Sequence, residues 1–189
     1  MLDRVLFLKS LAAAFATAVT PAPVPTATPR PWDQCLENPA LPYDRPLGLK
    51  MRVLDGPDFD LQKYRGSPTI LHIFATWCEP CAVEMPFVVA LSQKYAAQGL
   101  KIVGIDADES DNAVRAYRKK FDIPFPIAMD RDGLFTRALE NNRSSTWSIP
   151  VSLYITPAGY LYCYTEGSSK NPGNELTYRV EKFLKESSS

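Results

Sequence analysis

The five residues Trp77-Cys78-Glu79-Pro80-Cys81 restrict this chain more than any other stretch. They follow an apolar run, Thr69 to Ala75, that reads as a buried strand, and they open a segment with helical spacing, Ala82 to Ala97. At a helix N-terminus the unpaired N–H groups and the macrodipole favour an anion, so the outer sulfur, Cys78, can ionise near neutral pH and act as a nucleophile. Cys81 lies one turn deeper on the same helical face, where it can resolve a mixed disulfide formed by Cys78. Pro80 is tolerated between them because a first-turn residue has no intrahelical partner for its N–H. The strand, CxxC, helix order favours a redox pair over half of a zinc site or an inert structural disulfide.

The chain has 189 residues, enough for one domain with extensions and a substantial core. Lys plus Arg and Asp plus Glu balance at 21 each, so no basic field exists to hold nucleic acid, and partners must be recognised locally. A monomer is expected. Arg4 precedes a mostly apolar run, Val5 to Val19, interrupted by Lys9 and Ser10, and Ala16-Thr17-Ala18 resembles a signal-peptidase site. Residues 1–18 are therefore expected to be a signal peptide or an N-terminal anchor; the run is shorter than the ~20 residues that span a bilayer. Residues 19–46 carry Pro21, Pro23, Pro25, Pro29, Pro31, Pro39, Pro42 and Pro46, the composition of an extended leader. Export to a periplasmic or other extracytoplasmic compartment fits the four cysteines, which divide into the CxxC pair and the remote Cys35 and Cys163. Parity, export and distance from the CxxC predict a structural disulfide between Cys35 and Cys163 that pins the leader to the folded body.

That body is expected over residues 47–189. Strands are predicted at Lys50 to Leu54, Thr69 to Ala75, Leu100 to Ile105, Ile127 to Met129, Val151 to Ile155 and Tyr160 to Thr165, the last two joined by a Pro157/Gly159 turn. Helical segments are predicted at Phe59 to Gly66, Glu79 to Gln98, Asp111 to Phe121, Leu134 to Glu140 and Glu175 to Lys185, with Asn141 to Ser148 a loop. Tyr160, Tyr162 and Tyr164 read as one half-exposed strand face. Alternating β and α elements with a final hairpin and helix predict an α/β fold, a mixed sheet covered on both faces.

Phe74 to Pro86, Phe-Ala-Thr-Trp-Cys-Glu-Pro-Cys-Ala-Val-Glu-Met-Pro, resembles the WCxPCxxExP signature of exported TlpA/ResA-like thiol-disulfide oxidoreductases in the thioredoxin superfamily. The resemblance runs from about Leu47 to Lys185. It implies a thioredoxin-like fold with an N-terminal strand extension, a central insertion from about Asp106 to Glu140, and a cis-proline at Ser148-Ile149-Pro150. It also implies a substrate groove of Trp77, Ile149 and Pro150, disulfide-containing protein clients of the cytochrome c or copper-site assembly type, and electrons from a membrane thiol relay. His72 stands where the family often carries Asn and where thioredoxin has a buried acid.

Other chemistries fit less well. A peroxidase of the related peroxiredoxins would want Thr where Ala75 stands, and copper delivery would want a more distal histidine than His72. No metal and no cofactor is expected. Two function classes remain: a disulfide reductase, with an oxidant as its variant, and a client-binding module whose thiols only secure the contact. For the enzyme, Glu84, one turn beyond Cys81, is the preferred base for the resolving thiol and His72 the rival; Glu79 and His72 are candidate modulators of the thiol pKa values.

Overall fold

The computed structural model describes residues 45–107, 110–131, 133, 135, 148–168 and 170–187. The signal segment, nearly all of the leader with Cys35, and most of the expected helix and loop between Leu134 and Trp147 lie outside them. The chain enters through two short antiparallel strands, β1 (Lys50–Met51) and β2 (Phe59–Asp60), and a single 3-10 turn, Leu61–Tyr64. The central sheet comprises β3 (Thr69–Phe74), β4 (Lys101–Asp106), β5 (Ile127–Met129), β6 (Val151–Ile155) and β7 (Leu161–Glu166), in spatial order β5-β4-β3-β6-β7. All six residues of β3 are buried, as expected of a strand covered on both faces.

β3, β4 and β5 run parallel because helices α1 (Glu79–Lys94) and α2 (Asp111–Lys120) supply the crossovers. β6 pairs antiparallel with β3 and β7 antiparallel with β6, the two joined by a turn in which Gly159 takes φ 87°. Ser110 caps α2 by accepting from the Ala113 N–H at 3.3 Å, and α1 gives way to a 3-10 turn that ends at Gly99 with φ 84°. The last helix, α3 (Pro172–Ser187), packs against α1.

Strand alternation divides the interior. Ile70 and Phe74 face a core built with Val88 and Leu91 of α1, Val114 and Tyr117 of α2, and Leu176, Val180, Phe183 and Leu184 of α3. Leu71 and Ile73 face a second core shared with Val103, Ile105, Leu153, Val53, Phe59 and Leu61, with Phe135 packed at its edge. Among the described residues, α1, α2 and α3 lie on one face, and the 3-10 turn and the helical residue Phe135 on the other.

Three expectations change. Lys50 to Leu54 is not one strand: Lys50 and Met51 pair with β2, while the next residues turn to the sheet edge, where Val53 bridges Ala128 and the Leu54 N–H donates to the Ile127 carbonyl at 2.8 Å. The helical turn expected from Phe59 starts only at Leu61, because Asp60 holds an extended backbone and caps the turn, accepting from the Gln62 N–H at 3.0 Å. The tyrosines do not share a face. A register shift opposite Tyr154 and Ile155 inserts one extra residue in β7, so Tyr162 packs on the α-helical core while Tyr164 is buried in the other.

Candidate active site

Cys78 is the N-cap of α1. Its extended backbone turns the side chain over the first turn, and the Cys81 N–H donates to Cys78 Sγ at 3.2 Å. The two sulfurs are joined in a disulfide, with Cα atoms 5.2 Å apart. Cys81 is fully buried; Cys78, expected as the outer sulfur, retains only 4% exposure in this state. Trp77 beside it is the most exposed large apolar side chain described, at 73%.

β6 begins at Val151, which pairs with Ile73 near the end of β3. The residues just before β6 therefore reach the same end of the sheet as the turn that carries the cysteines. The Ile149–Pro150 peptide is cis, and the Ile149 carbonyl oxygen lies 3.8 Å from Cys78 Sγ across 71 residues of chain. Trp77, Cys78, Ile149 and Pro150 are thus brought together at one edge of the domain. Glu79 is exposed in the first turn of α1.

Glu84 and His72 are both buried on the side of the sheet that carries the α-helices. Glu84 shares the buried side of α1 with Cys81 and Val88 and is 5% exposed. Desolvation raises its carboxyl from 4.5 to about 7, with the Arg179 guanidinium working against the rise and Glu175 adding to it. His72, on the α-helical face of β3, is completely buried; its Nδ1 lies 3.0 Å from Ser152 Oγ on β6, and Nε2 has no partner among the described residues. Burial lowers the imidazole from 6.5 to about 4, so it is neutral at ordinary pH. Desolvation thus makes one group titratable near neutrality and silences the other.

Cys163 on β7 is 2% exposed and is not a free thiol. Its expected partner Cys35 lies outside the described residues. Sequence reasoning did not single out Ser152, Arg179 or Glu175. Arg179 and Glu175 were visible as an i, i+4 pair, but nothing local said that their charges reach Glu84. A groove of about 630 Å³, lined by Leu47, Met51, Met129 and Phe135 among others, holds none of the candidate residues.

A sulfur at a helix N-terminus, a buried second sulfur disulfide-bonded to it and an exposed Trp beside them are parts that thiol-disulfide exchange can use. The Redoxin family model matches residues 22–162. Thiol-disulfide oxidoreductase ResA of Bacillus thuringiensis subsp. konkukian is 40% identical over 132 residues, 70% of this chain and 70% of that protein. A thiol:disulfide interchange protein of the thioredoxin family from Chlorobium tepidum TLS has a similar structure, with TM-score 0.62, 28% identity, and coverage of 74% of this chain and 97% of that one. A secreted disulfide oxidoreductase of Mycobacterium tuberculosis shares the fold, with TM-score 0.61 at 20% identity over 71% of this chain and 96% of that one. The chain belongs to the Redoxin family and, with its thioredoxin-like fold and paired cysteines, is a thiol-disulfide oxidoreductase of the ResA kind.

Proposed function

We propose that the protein is an extracytoplasmic reductant of disulfides in exported proteins, with Cys78 as nucleophile, Cys81 as resolving thiol and Glu84 as the base that frees Cys81. The observation that carries the reading is the Cys78–Cys81 disulfide at the N-terminus of α1 with the Glu84 carboxyl buried one turn beyond Cys81, where desolvation raises it to about 7. In the reduced protein the Cys78 thiolate attacks one sulfur of a client disulfide; that bond breaks and the client's other sulfur leaves as a thiolate that takes a proton. Glu84 then accepts the Cys81 proton, and Cys81 attacks Cys78 Sγ, closing the Cys78–Cys81 disulfide and releasing the second client thiolate. Two electrons pass to the client, and the protein is left in the oxidised state described here.

Trp77 and the Ile149–Pro150 edge form the docking surface, where an extended client segment can pair with the Ile149 backbone. The clients are apoproteins of the cytochrome c or copper-site assembly type. A membrane thiol relay supplies the returning electrons, since an oxidising compartment does not. The apolar run after Arg4 makes residues 1–18 the tether or export signal, and the leader spaces the monomeric domain from it. Cys35 and Cys163 close a structural disulfide; peptide mass spectrometry without reductant should recover them linked, and two free thiols there would end that assignment.

The direction of electron flow rests on Glu79. Its negative charge beside the Cys78 thiolate offsets part of the helix dipole's help, which makes the reduced form less stable and the protein a stronger reductant. The reduction potential of the full chain should lie near thioredoxin's, about −270 mV, rather than near the about −120 mV of DsbA. A value at the oxidising end would reverse the direction. Failure to turn over any small disulfide substrate would favour a module that only holds its client.

A further inference from the structure

A buried carboxyl that takes a proton in each cycle must also lose it, and the two charged side chains whose fields reach Glu84, Arg179 and Glu175, stand one helical turn apart on α3. Arg179 Nη2 lies 3.7 Å from Glu175 Oε2 across one helical turn, with side chains 17% and 25% exposed, while Arg179 Nε is buried without a hydrogen-bond partner. The pair flanks the buried stripe of α3, since Arg179 is three residues beyond Leu176 and four before Phe183. α3 is held close to α1 here: a Cβ built on Gly173 would meet the Phe87 ring at 2.7 Å, and Phe87 follows Glu84 by three residues.

We propose that Arg179 is a positioning residue for the redox centre: its guanidinium is divided between Glu175 at the surface and Glu84 one turn beyond Cys81, and so governs when Glu84 holds a proton. The inference rests on the role given to Glu84 above and extends it to a second helix. In the disulfide form the guanidinium lies against Glu175, and it stays there while Glu84 is neutral. When Glu84 gives up its proton, the half-buried guanidinium becomes its counter-ion and Glu175 is left to water. The buried Nε without a partner is the part of the fork available for this exchange.

The other groups that bear on Glu84 do not replace Arg179. Tyr154 of β6 is buried, and desolvation pushes its phenol up to about 12, so it stays neutral. Burial keeps His72 of β3 neutral as well, lowering its imidazole to about 4. Cys78 and Cys81 do not titrate while joined. Among the described residues, Arg179 is the cation and Glu175 the anion whose fields reach Glu84.

The test reads Glu84 directly, without turnover: carbon-13 NMR titration of its side-chain carboxyl in the oxidised full chain. Arg179→Gln should move the midpoint up and Glu175→Gln should move it down, each by about one pH unit, the low end of what a neighbouring charge does. Arg179→Lys should return it most of the way, and thermal melts of all three report whether the fold is kept. If Arg179→Gln proves unfolded, Glu175→Gln alone still decides. An unmoved midpoint in folded variants overturns the inference. The pH profile of client reduction is measured beside it: midpoints that move while Glu84→Gln leaves the profile unchanged would spare this coupling and overturn the catalytic role of Glu84 instead.

Discussion

The two faces of the central sheet are made by alternate residues of the same strands, yet they differ in kind. The face toward the 3-10 turn is an apolar seam of Leu71, Ile73, Val103, Ile105, Leu153 and Ile155. The face toward the α-helices carries, besides its apolar residues, both redox cysteines, His72 paired with Ser152, and Glu84. Buried polar groups weaken a core unless each is partnered, so their concentration beneath α1 marks where the fold gives up stability for chemistry. One face holds the scaffold and the other works.

Breaking the working face at its centre should have the largest effect. Cys78→Ser should abolish turnover of a disulfide substrate while the protein remains folded by circular dichroism, and Cys81→Ser should accumulate mixed disulfides through Cys78. Trapping that instead requires loss of Cys78 would reverse the two roles. On the scaffold face, Leu71→Ala removes a fully buried side chain and should lower unfolding stability by about 2–5 kcal/mol in denaturant titration. Its rate per folded molecule should stay within about twofold, since Leu71 points away from the disulfide. A large rate loss at unchanged stability would mean the faces are not separable.

Glu84→Gln should slow reduction of a disulfide substrate by about a hundredfold, the low end for a positioned acid–base group, and remove the pH dependence centred near 7. Unchanged rates would hand the proton to His72 or to water. His72→Asn should alter the rate by about threefold at most, because a neutral imidazole held by Ser152 neither gains nor loses a proton in the working range.

The same two groups should write opposite slopes into the stability of the oxidised protein. Glu84 has its folded pKa raised from 4.5 to about 7, so its contribution is complete below 4.5 and is lost as the pH rises through 7. His72 has its folded pKa lowered from 6.5 to about 4, so its contribution is complete above 6.5 and is lost as the pH falls through 4. Each is at most roughly 3 kcal/mol, and between 4.5 and 6.5 they offset one another. Denaturant titrations across that window should show stability rising with pH in Glu84→Gln and falling with pH in His72→Asn. Parallel slopes in the two variants would show that burial does not treat the two groups as described.

Sequence by itself determined the elements whose signals are local. An unbroken apolar run, two cysteines three apart and a 3–4 spaced stripe of Val88, Leu91 and Tyr95 define β3, the redox turn and α1, because burial on two faces, the helix N-terminus and helical periodicity all act within a few residues. The same local rules placed Val114, Tyr117, Leu176 and Val180 inward. Tertiary structure alone decided what depends on pairing and depth. It brought the Ile149 carbonyl to Cys78 across 71 residues, set Ser152 opposite His72 through strand register, and turned Tyr162 and Tyr164 to opposite faces through one extra residue in β7. It also decided the states of Glu84 and His72, since a pKa follows the water and charges around a group, and those come from strands and helices that the neighbouring residues of the chain do not specify.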